Sequence, residues 1–133
     1  ELVSSGFYNG IIFHRVIEGF MAQTGDVKFG NTNSSDFNLQ LAGTGGSDLP
    51  DLKAEFTDIP HIRGTLSAAR SASPDSANSQ FFICFESAPH LDRQYSAFGK
   101  VIKGMEFVDK IKKGDPNSGA VREPDKIISI KSK

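Results

Sequence analysis

The sequence predicts a mainly β domain, either a small barrel or a sandwich, with one or two helices. Short apolar segments alternate with polar, turn-forming segments along the whole chain, which is the pattern of many short strands. Eleven Phe without any Trp, together with 13 Gly, indicate a β-rich core with many turns. At 133 residues the chain is long enough for one hydrophobic core, so we predict a single domain over residues 1–133.

The composition argues against several classes of protein. The formal net charge is -1 and the Lys and Arg residues are scattered, which disfavours a nucleic-acid-binding protein. No apolar run approaches the ~20 residues of a membrane span, so we expect no membrane partner. The one cysteine, Cys84, rules out an internal disulfide and fits a reducing compartment. We expect a cytoplasmic monomer; the periplasm is the alternative, because a targeting signal could lie upstream of Glu1.

The first part of the chain predicts a helix end and two strands. Residues 1–6 are typical of the last turn of a helix, with Gly6 just beyond its end. Strands are predicted over residues 11–17 and 20–24, joined by a tight Glu-Gly turn. The two-residue period of the first strand puts Arg15 on one face and His14 on the other, which we predict to be the core face.

Residues 27–46 form a long polar connection, and such a loop is usually functional or an insertion. Its end, Gly-Thr-Gly-Gly-Ser at residues 43–47, suggests a phosphate-binding loop only weakly, because no Lys-Ser/Thr follows and Pro50 intervenes. A flexible turn that uses the positive φ angles open to Gly is the favoured alternative.

The remaining strands are predicted over residues 52–56, 64–70, 80–85, 97–102 and 126–131. The segment 80–85 is the most apolar of them and should be central, with Phe81, Ile83 and Phe85 on the core face. One helical turn is predicted near residues 89–92.

A longer helix is predicted over residues 104–113. Met105, Val108 and Ile111 repeat there at helical spacing, and Gly114 closes the segment.

Most kinds of catalytic site find no support in the sequence. The three histidines are far apart and there is one cysteine, so we predict no metal site. His14 is predicted to be a hydrogen-bonded core residue. Cys84 lies in mid-strand without a basic neighbour, which favours inert packing. Ser, His and Asp can be combined, but no G-x-S-x-G motif supports a nucleophile.

One non-covalent site remains. Arg15 is a lone cation on an apolar strand, and a guanidinium is rarely buried without a partner. Without other support it is best interpreted as an edge-strand Arg facing water. Amides and apolar side chains on strands that could be neighbours favour a small peptide-binding surface instead: Phe20, Met21, Gln23, Gln80 and Phe82.

Residues 13–26, Phe-His-Arg-Val-Ile-Glu-Gly-Phe-Met-Ala-Gln-Thr-Gly-Asp, resemble the signature of cyclophilin-type peptidyl-prolyl cis-trans isomerases. Further matching blocks follow in the family's order at residues 43–46, 79–84, 91–92 and 98–105. The resemblance covers nearly the whole chain. It implies an eight-stranded antiparallel β-barrel closed by two helices, acting without a cofactor on X-Pro bonds in proline-containing peptides and unfolded proteins.

The resemblance also implies a role for each matching residue. Arg15 would be the catalytic group, and Gln23 and Gln80 would position it or the peptide. The pocket for the proline ring would be formed by Phe20, Met21, Phe82 and Leu91. The rest of the groove would be lined by Ala69, Arg70, His90 and Tyr95.

The chain departs from the family at several points. Arg70 stands where Asn is frequent and adds charge at the groove, and Tyr95 replaces a frequent His. His90 replaces a frequent Trp, so cyclosporin is a possible ligand but high affinity is not expected. The family's first two strands and most of its first helix should precede Glu1. The resemblance therefore implies a barrel without its N-terminal strands, either a fragment or one completed by another chain.

Two functions are consistent with these residues. The first is a proline isomerase, which the intact Arg15 favours. The alternative is a binding or chaperone module that holds proline-containing segments with little turnover.

Overall fold

Five short strands form one antiparallel sheet in the order β1-β2-β4-β3-β5. The computed structural model describes residues 1–133. The strands are β1 (Arg15–Ile17), β2 (Met21–Thr24), β3 (Thr65–Ala68), β4 (Phe81–Cys84) and β5 (Ala97–Lys100). Helical structure is limited to a 3-10 turn, Pro89–Leu91, and one α-helix, α1 (Met105–Val108). No helix has the length and apolar character needed to span a membrane.

The sheet confirms the predicted mainly β class and five of the seven predicted strands, each shorter than expected. β4 lies between β2 and β3, as predicted for the most apolar segment. The resemblance implies eight strands, whereas five form here, and β1 and β5 lie at opposite edges of the sheet. The predicted helical turn near residues 89–92 is confirmed by the 3-10 turn.

Two predicted strands are wrong. Residues 52–56 make only one bridge, between Leu52 and Ala77, and residues 126–131 only one, between Ile12 and Lys126. A strand needs ladder bonds from a partner along its whole length. Residues 52–56 have no such partner, and the backbone pairing of residues 125–127 with residues 10–13 ends at Ile127. Leu52 and Ile128 are instead 59% and 80% exposed.

The helix predicted over residues 104–113 is also too long. Beyond α1 the backbone is held by other groups: the Lys112 amide donates to the Asp125 carboxylate at 2.8 Å, and the Gly114 amide donates to the Val16 carbonyl at 2.8 Å. The predicted apolar stripe nevertheless faces the interior. Its three residues, Met105, Val108 and Ile111, pack against a buried cluster.

The prediction for residues 1–6 is confirmed by the hydrogen bonds of a Schellman motif. The Phe7 amide donates to the Leu2 carbonyl and the Gly6 amide donates to the Val3 carbonyl, both at 3.1 Å. Gly6 has a φ of 75°, the left-handed conformation that this motif requires and that Gly adopts without strain.

Both faces of β4 are buried, which corrects the predicted assignment of one core face. Phe82 and Cys84, expected on the non-core side, are 4% and 0% exposed, whereas Phe81 is only half-buried. Apolar clusters cover both faces of the sheet at β4, so side chains that point to either face are buried.

Each face of the sheet carries its own cluster of buried apolar residues. On one face lie Met21, Phe82, Cys84, Ala88 and Leu91. On the other lie Val16, Ala22, Phe85 and Val121.

The register of the sheet aligns the first cluster with the predicted site. Arg15 lies opposite Gln23, Gln23 opposite Phe82, and Phe82 opposite Ser67. Directly opposed residues in antiparallel strands project from the same face. One row of side chains therefore crosses four strands, with the cation at one end and a hydroxyl at the other.

Candidate functional site

A groove of about 310 Å³ runs over this row of side chains. Ten of the eleven residues proposed from the sequence line it, and the eleventh, Gln80, lies in an adjoining lobe. The ten are Arg15, Phe20, Met21, Gln23, Ala69, Arg70, Phe82, His90, Leu91 and Tyr95. The structure thus brings together residues spread over 80 positions of sequence into one surface.

The floor of the groove is apolar and closely packed. Met21, Phe82 and Leu91 are 1%, 4% and 7% exposed. The Tyr95 ring meets the Phe82 ring edge-on, with centroids 5.9 Å apart, and the Phe20 ring lies 5.5 Å from the His90 ring. These aromatic contacts hold the walls of a slot that could accept a compact apolar ring.

Arg15 is fixed at the edge of this floor. Its Nε donates to the Ser118 carbonyl at 3.2 Å, and its Nη1 donates to Gln23 Oε1 at 3.3 Å. No carboxylate forms a salt bridge with it. A guanidinium has five N–H donors, so Arg15 keeps most of its donors and its whole charge for a ligand.

A chain of amides continues from Arg15. Gln23 Nε2 donates to Gln80 Oε1 at 3.0 Å, and Gln80 Nε2 donates to the Gly43 and Gly45 carbonyls, both at 2.9 Å. Because Arg15 can only donate, Gln23 must turn its oxygen toward it, and this sets the orientation of each following amide. The polar wall of the groove is therefore fixed from the guanidinium to the loop.

The loop that receives this chain is organised by Asp26, which is fully buried. Asp26 Oδ2 accepts the amides of Gly43 and Gly45 at 2.8 and 2.9 Å. Its Oδ1 accepts the amides of Lys28 and Phe29 at 3.0 and 2.9 Å. A Cβ on Gly45 would lie 2.5 Å from Asp26 Oδ1, so this close approach requires Gly.

This arrangement favours the turn over the phosphate-binding loop at residues 43–47. Gly43 has a φ of 104°, as expected for a turn that uses positive φ angles. The amides of Gly43 and Gly45 already bind a carboxylate of the same chain, so the turn is held in place and those amides are not free for a phosphate. Sequence analysis missed the role of Asp26, although the residue ends the motif that carries the resemblance. A signal for this role was present in the sequence: the Gly-rich loop lacks the Lys-Ser/Thr of a phosphate-binding loop, so its backbone amides need another acceptor.

His14 is buried, as predicted, but it is not hydrogen-bonded as predicted. Its Nδ1 is the one buried side-chain nitrogen or oxygen without a partner, and its ring packs against Gly43. Burial lowers the pKa of His14 to about 4, Asp26 opposes that shift and Arg15 adds to it.

Sequence analysis also missed an Asp-His-Ser arrangement beneath the groove, in which His61 and Ser67 are buried and Asp92 is partly exposed. His61 Nδ1 lies 3.0 Å from Asp92 Oδ1, and His61 Nε2 lies 2.9 Å from Ser67 Oγ. The His61 amide also donates to Asp92 Oδ1 at 2.7 Å, and this bond is the main cause of the lowered pKa of Asp92.

That arrangement is structural. Ser67 is 0% exposed, so no substrate reaches its hydroxyl, and a nucleophilic role is excluded. The His61 ring stacks under the Phe82 ring at 6.3 Å. Asp92 follows the 3-10 turn that carries Leu91, so the contact ties one wall of the groove to the floor.

Cys84 is fully buried, in agreement with the predicted inert packing. Burial, with a smaller effect of Asp92, raises the pKa of its thiol to about 11. A thiol in that state is a poor nucleophile at neutral pH.

Fold and site together define an antiparallel β protein with an apolar groove that has an arginine without a carboxylate partner at its edge. Comparison with known proteins identifies the group to which it belongs. The family described as "Cyclophilin type peptidyl-prolyl cis-trans isomerase/CLD" matches residues 1–132. The chain is a member of the cyclophilin family, which confirms the resemblance.

Several relatives have the same family name. The chain is 60% identical over 129 residues to a probable peptidyl-prolyl cis-trans isomerase of Brucella abortus (strain 2308), covering 96% of this chain and 65% of that protein. It is 43% identical over 118 residues to a peptidyl-prolyl cis-trans isomerase of Helicobacter pylori (strain ATCC 700392 / 26695), covering 86% and 64%. The chain thus spans less than two thirds of the length of these relatives.

Solved structures agree with the fold. A cyclophilin from Hirschia baltica superposes with a TM-score of 0.76 at 24% identity, covering 96% of this chain and 61% of that one. A cyclophilin-type peptidyl-prolyl cis-trans isomerase of Cryptosporidium parvum, crystallised in the presence of the dipeptide Ala-Pro, gives 0.77 at 30% identity, covering 99% and 81%.

Proposed function

We propose that this chain accelerates the cis–trans isomerisation of X-Pro peptide bonds in peptides and unfolded proteins. The observation that carries the proposal is the Arg15 guanidinium, which has no carboxylate partner and is fixed beside an apolar slot. Family membership and the names of the relatives support it. The Ala-Pro dipeptide present with the Cryptosporidium protein is a ligand of the proposed class.

The chemistry needs a group of this kind. Rotation about an X-Pro bond faces a barrier of ~18–20 kcal/mol, because the twisted bond loses amide resonance. In the twisted state the prolyl nitrogen regains a lone pair. A donor that bonds this nitrogen or the carbonyl oxygen more strongly than it does in the planar state accelerates the rotation. The free N–H groups of Arg15 are donors of this type.

The apolar slot would hold the proline ring while the preceding carbonyl rotates. Phe82 and Met21 form its floor, and Leu91 closes one side. When the proline ring is fixed, the preceding carbonyl can move only by rotation about the X-Pro bond. Exclusion of water strengthens the hydrogen bond that Arg15 donates. No covalent intermediate or cofactor is needed.

The amide chain contributes by keeping Arg15 in place. Gln23 accepts from Arg15, Gln80 accepts from Gln23, and Asp26 holds the loop to which Gln80 donates. A guanidinium already in position loses little entropy when the transition state forms, so its hydrogen bond acts with full strength.

Cyclosporin is a weaker prospect than peptides. The His90 ring stands at the groove edge, where the family frequently has Trp, and offers less apolar surface to a large cyclic ligand. We therefore propose micromolar or weaker affinity, on the order of 10⁻⁶ M.

The test is Arg15→Ala, with Arg122→Ala as the matched control. Arg122 is exposed and takes part in no hydrogen bond or salt bridge, so both variants lose one positive charge. NMR exchange spectroscopy on a proline peptide measures turnover, and chemical-shift titration measures affinity. We expect Arg15→Ala to lower turnover about a hundredfold or more, with a much smaller loss of affinity.

Arg122→Ala should retain the turnover of the unmodified chain. Equal losses of turnover and affinity in Arg15→Ala would contradict the role assigned to the guanidinium. Peptide binding without acceleration by the unmodified chain would establish the binding module in place of the enzyme.

A further inference from the structure

Arg70 occupies the junction of two parts of the groove. It lines the slot described above and also an adjoining polar lobe of about 200 Å³. That lobe is lined by the loop residues Gly43, Thr44 and Gly45 on one side and by Ser71, Ser76 and Asn78 on the other. A peptide seated in the slot therefore passes Arg70 before its flanking residues reach the lobe.

The guanidinium of Arg70 is immobilised. Its Nε and Nη2 donate to the Gln94 carbonyl at 3.2 and 2.7 Å, and its Nη1 donates to the Ser71 and Ala72 carbonyls at 3.0 and 3.4 Å. Its carbon Cζ lies 4.4 Å from the centre of the Tyr95 ring. A cation held by neutral acceptors and an aromatic face keeps its whole charge and has little conformational entropy left to lose.

No carboxylate neutralises this charge. Arg70 forms no salt bridge, and neither the slot nor the lobe is lined by any Asp or Glu. The carboxylates on the segments next to the lobe are hydrogen-bonded elsewhere: Asp26 accepts four backbone amides, Asp51 accepts the Asn78 amide group at 3.0 Å, and Asp75 accepts the Ala54 amide at 2.8 Å. With Arg15 at the far side of the slot, two uncompensated cations flank the groove.

We infer that Arg70 is a specificity-determining residue that makes the groove prefer proline peptides with an acidic side chain close to the proline. The inference rests on the proposed function, because the slot is assigned to the proline ring. A carboxylate passing the junction approaches a fixed, unpaired cation in a partly dry groove, where the attraction exceeds that of a fully solvated pair. A Lys side chain at the same point is repelled by both arginines.

The test uses the 133-residue chain and a set of short peptides with one proline. Glu, Gln or Lys is placed in turn at each of the three positions before and after the proline. NMR exchange gives turnover, and chemical-shift titration of the same samples gives affinity. At one or more positions we expect Glu to exceed Gln by about three- to tenfold in affinity, with Lys weaker than Gln.

Salt provides a measurement that needs no variant. Raising the ionic strength from about 0.05 M to about 0.5 M shortens the Debye length severalfold, so the Glu-to-Gln ratio should fall toward one. A ratio that does not respond to salt would show that charge is not the cause and would overturn the inference.

Substitutions of Arg70 test whether this residue causes the preference for Glu peptides. In Arg70→Gln the Glu-to-Gln ratio should fall to nearly one, and in Arg70→Lys part of it should persist because the charge remains. Arg122→Gln, the matched control, removes an equal charge outside the groove and should leave the ratio intact. An equal fall of the ratio in Arg70→Gln and Arg122→Gln would overturn the inference in favour of the net charge of the protein.

The two proposals fail separately. Equal affinity for Glu, Gln and Lys peptides at every position would overturn the role of Arg70 while leaving isomerisation intact. Absence of turnover on all peptides, with the Glu preference present in the titrations, would overturn the isomerase proposal and support the role of Arg70.

Discussion

The groove region and the C-terminal region of this molecule use their apolar residues differently. In the groove region, formed by β1 to β4 with the loops at residues 43–45 and 89–95, Met21 and Cys84 are 1% and 0% exposed. In the C-terminal region, residues 97–133, Ile102 and Ile128 are 89% and 80% exposed. Val121 alone of that region belongs to a buried cluster.

The two regions also differ in the sequence separation of their polar contacts. In the groove region, partly buried polar side chains connect segments far apart in sequence, as Gln23 does with Gln80 and Gln80 with the Gly45 carbonyl. In the C-terminal region, Asp115 binds amides two and three residues away, and the long-range ion pair between Asp109 and Arg63 is about half exposed. Long-range polar contacts fix the geometry of a surface, whereas local ones only shape a turn. A rigid groove is found where the first kind prevails.

The largest expected effect comes from the two aspartates that bind loop amides. Asp26→Asn places an NH₂ group against at least one pair of amides, leaving buried donors unsatisfied, and should cost about 2–6 kcal/mol of the free energy of unfolding. Asp115→Asn, in an exposed loop, should cost much less. Urea unfolding measures both. Comparable losses would show that the buried loop is no more dependent on its carboxylate than the exposed one.

The second comparison concerns two phenylalanines of the same sheet, one on the central strand β4 and one on the edge strand β5. Phe82→Ala removes a ring that is 4% exposed and should cost about 3–5 kcal/mol, because a cavity remains under the groove. Phe98→Ala removes a ring that is 61% exposed and should cost less than about 1 kcal/mol. Urea unfolding measures both losses: if the m-value is unchanged, the shift of the midpoint gives the change in the free energy of unfolding. If Phe98→Ala lowers the free energy of unfolding as much as Phe82→Ala does, the Phe98 ring is packed in solution and the contrast between the two regions is wrong.

The smallest effect concerns pH and His14. The pKa of His14 is about 4 in the folded protein and about 6.5 when exposed, so the unfolded chain binds a proton first as the pH falls. The contribution of neutral His14 to the free energy of unfolding is therefore complete above about pH 6.5 and is lost as the pH falls toward 4. Between pH 7 and 5 the loss should be about 2 kcal/mol.

His14→Leu provides the control for this prediction, since Leu neither titrates nor leaves an unpartnered nitrogen. Its unfolding free energy should depend less on pH than that of the unmodified chain, by the same amount, over the same interval. Identical pH dependence in the two proteins would show that His14 is already able to take up a proton in the folded state.

The sequence sufficed for those parts of the fold and site that local pattern or family resemblance encodes. Alternation located five strands, and the apolarity of residues 80–85 predicted the central one. The residues alone suggested a surface around Arg15, Gln23 and Phe82. Assignment of Leu91 and Tyr95 to the same groove depended on the resemblance, since nothing local connects them to β1.

What could not be predicted depends on contacts between distant residues. The Ser118 carbonyl that receives Arg15 Nε lies 103 positions away. His61 and Asp92 are 31 positions apart, and no short motif marks the pair. Residues 52–56 have a strand pattern but no neighbouring strand, and a sequence pattern does not reveal whether a partner is present.

The reaction rate of the single thiol of this protein can report local opening of the groove. Cys84 lies on β4 opposite Met21, within the floor beneath the slot, and is inaccessible and protonated at neutral pH. A thiol reagent can therefore react only when the side chains packed over Cys84 move apart, and its rate reports the free energy of that local opening. The unmodified chain thus contains its own probe, and a ligand seated on the floor should slow the reaction.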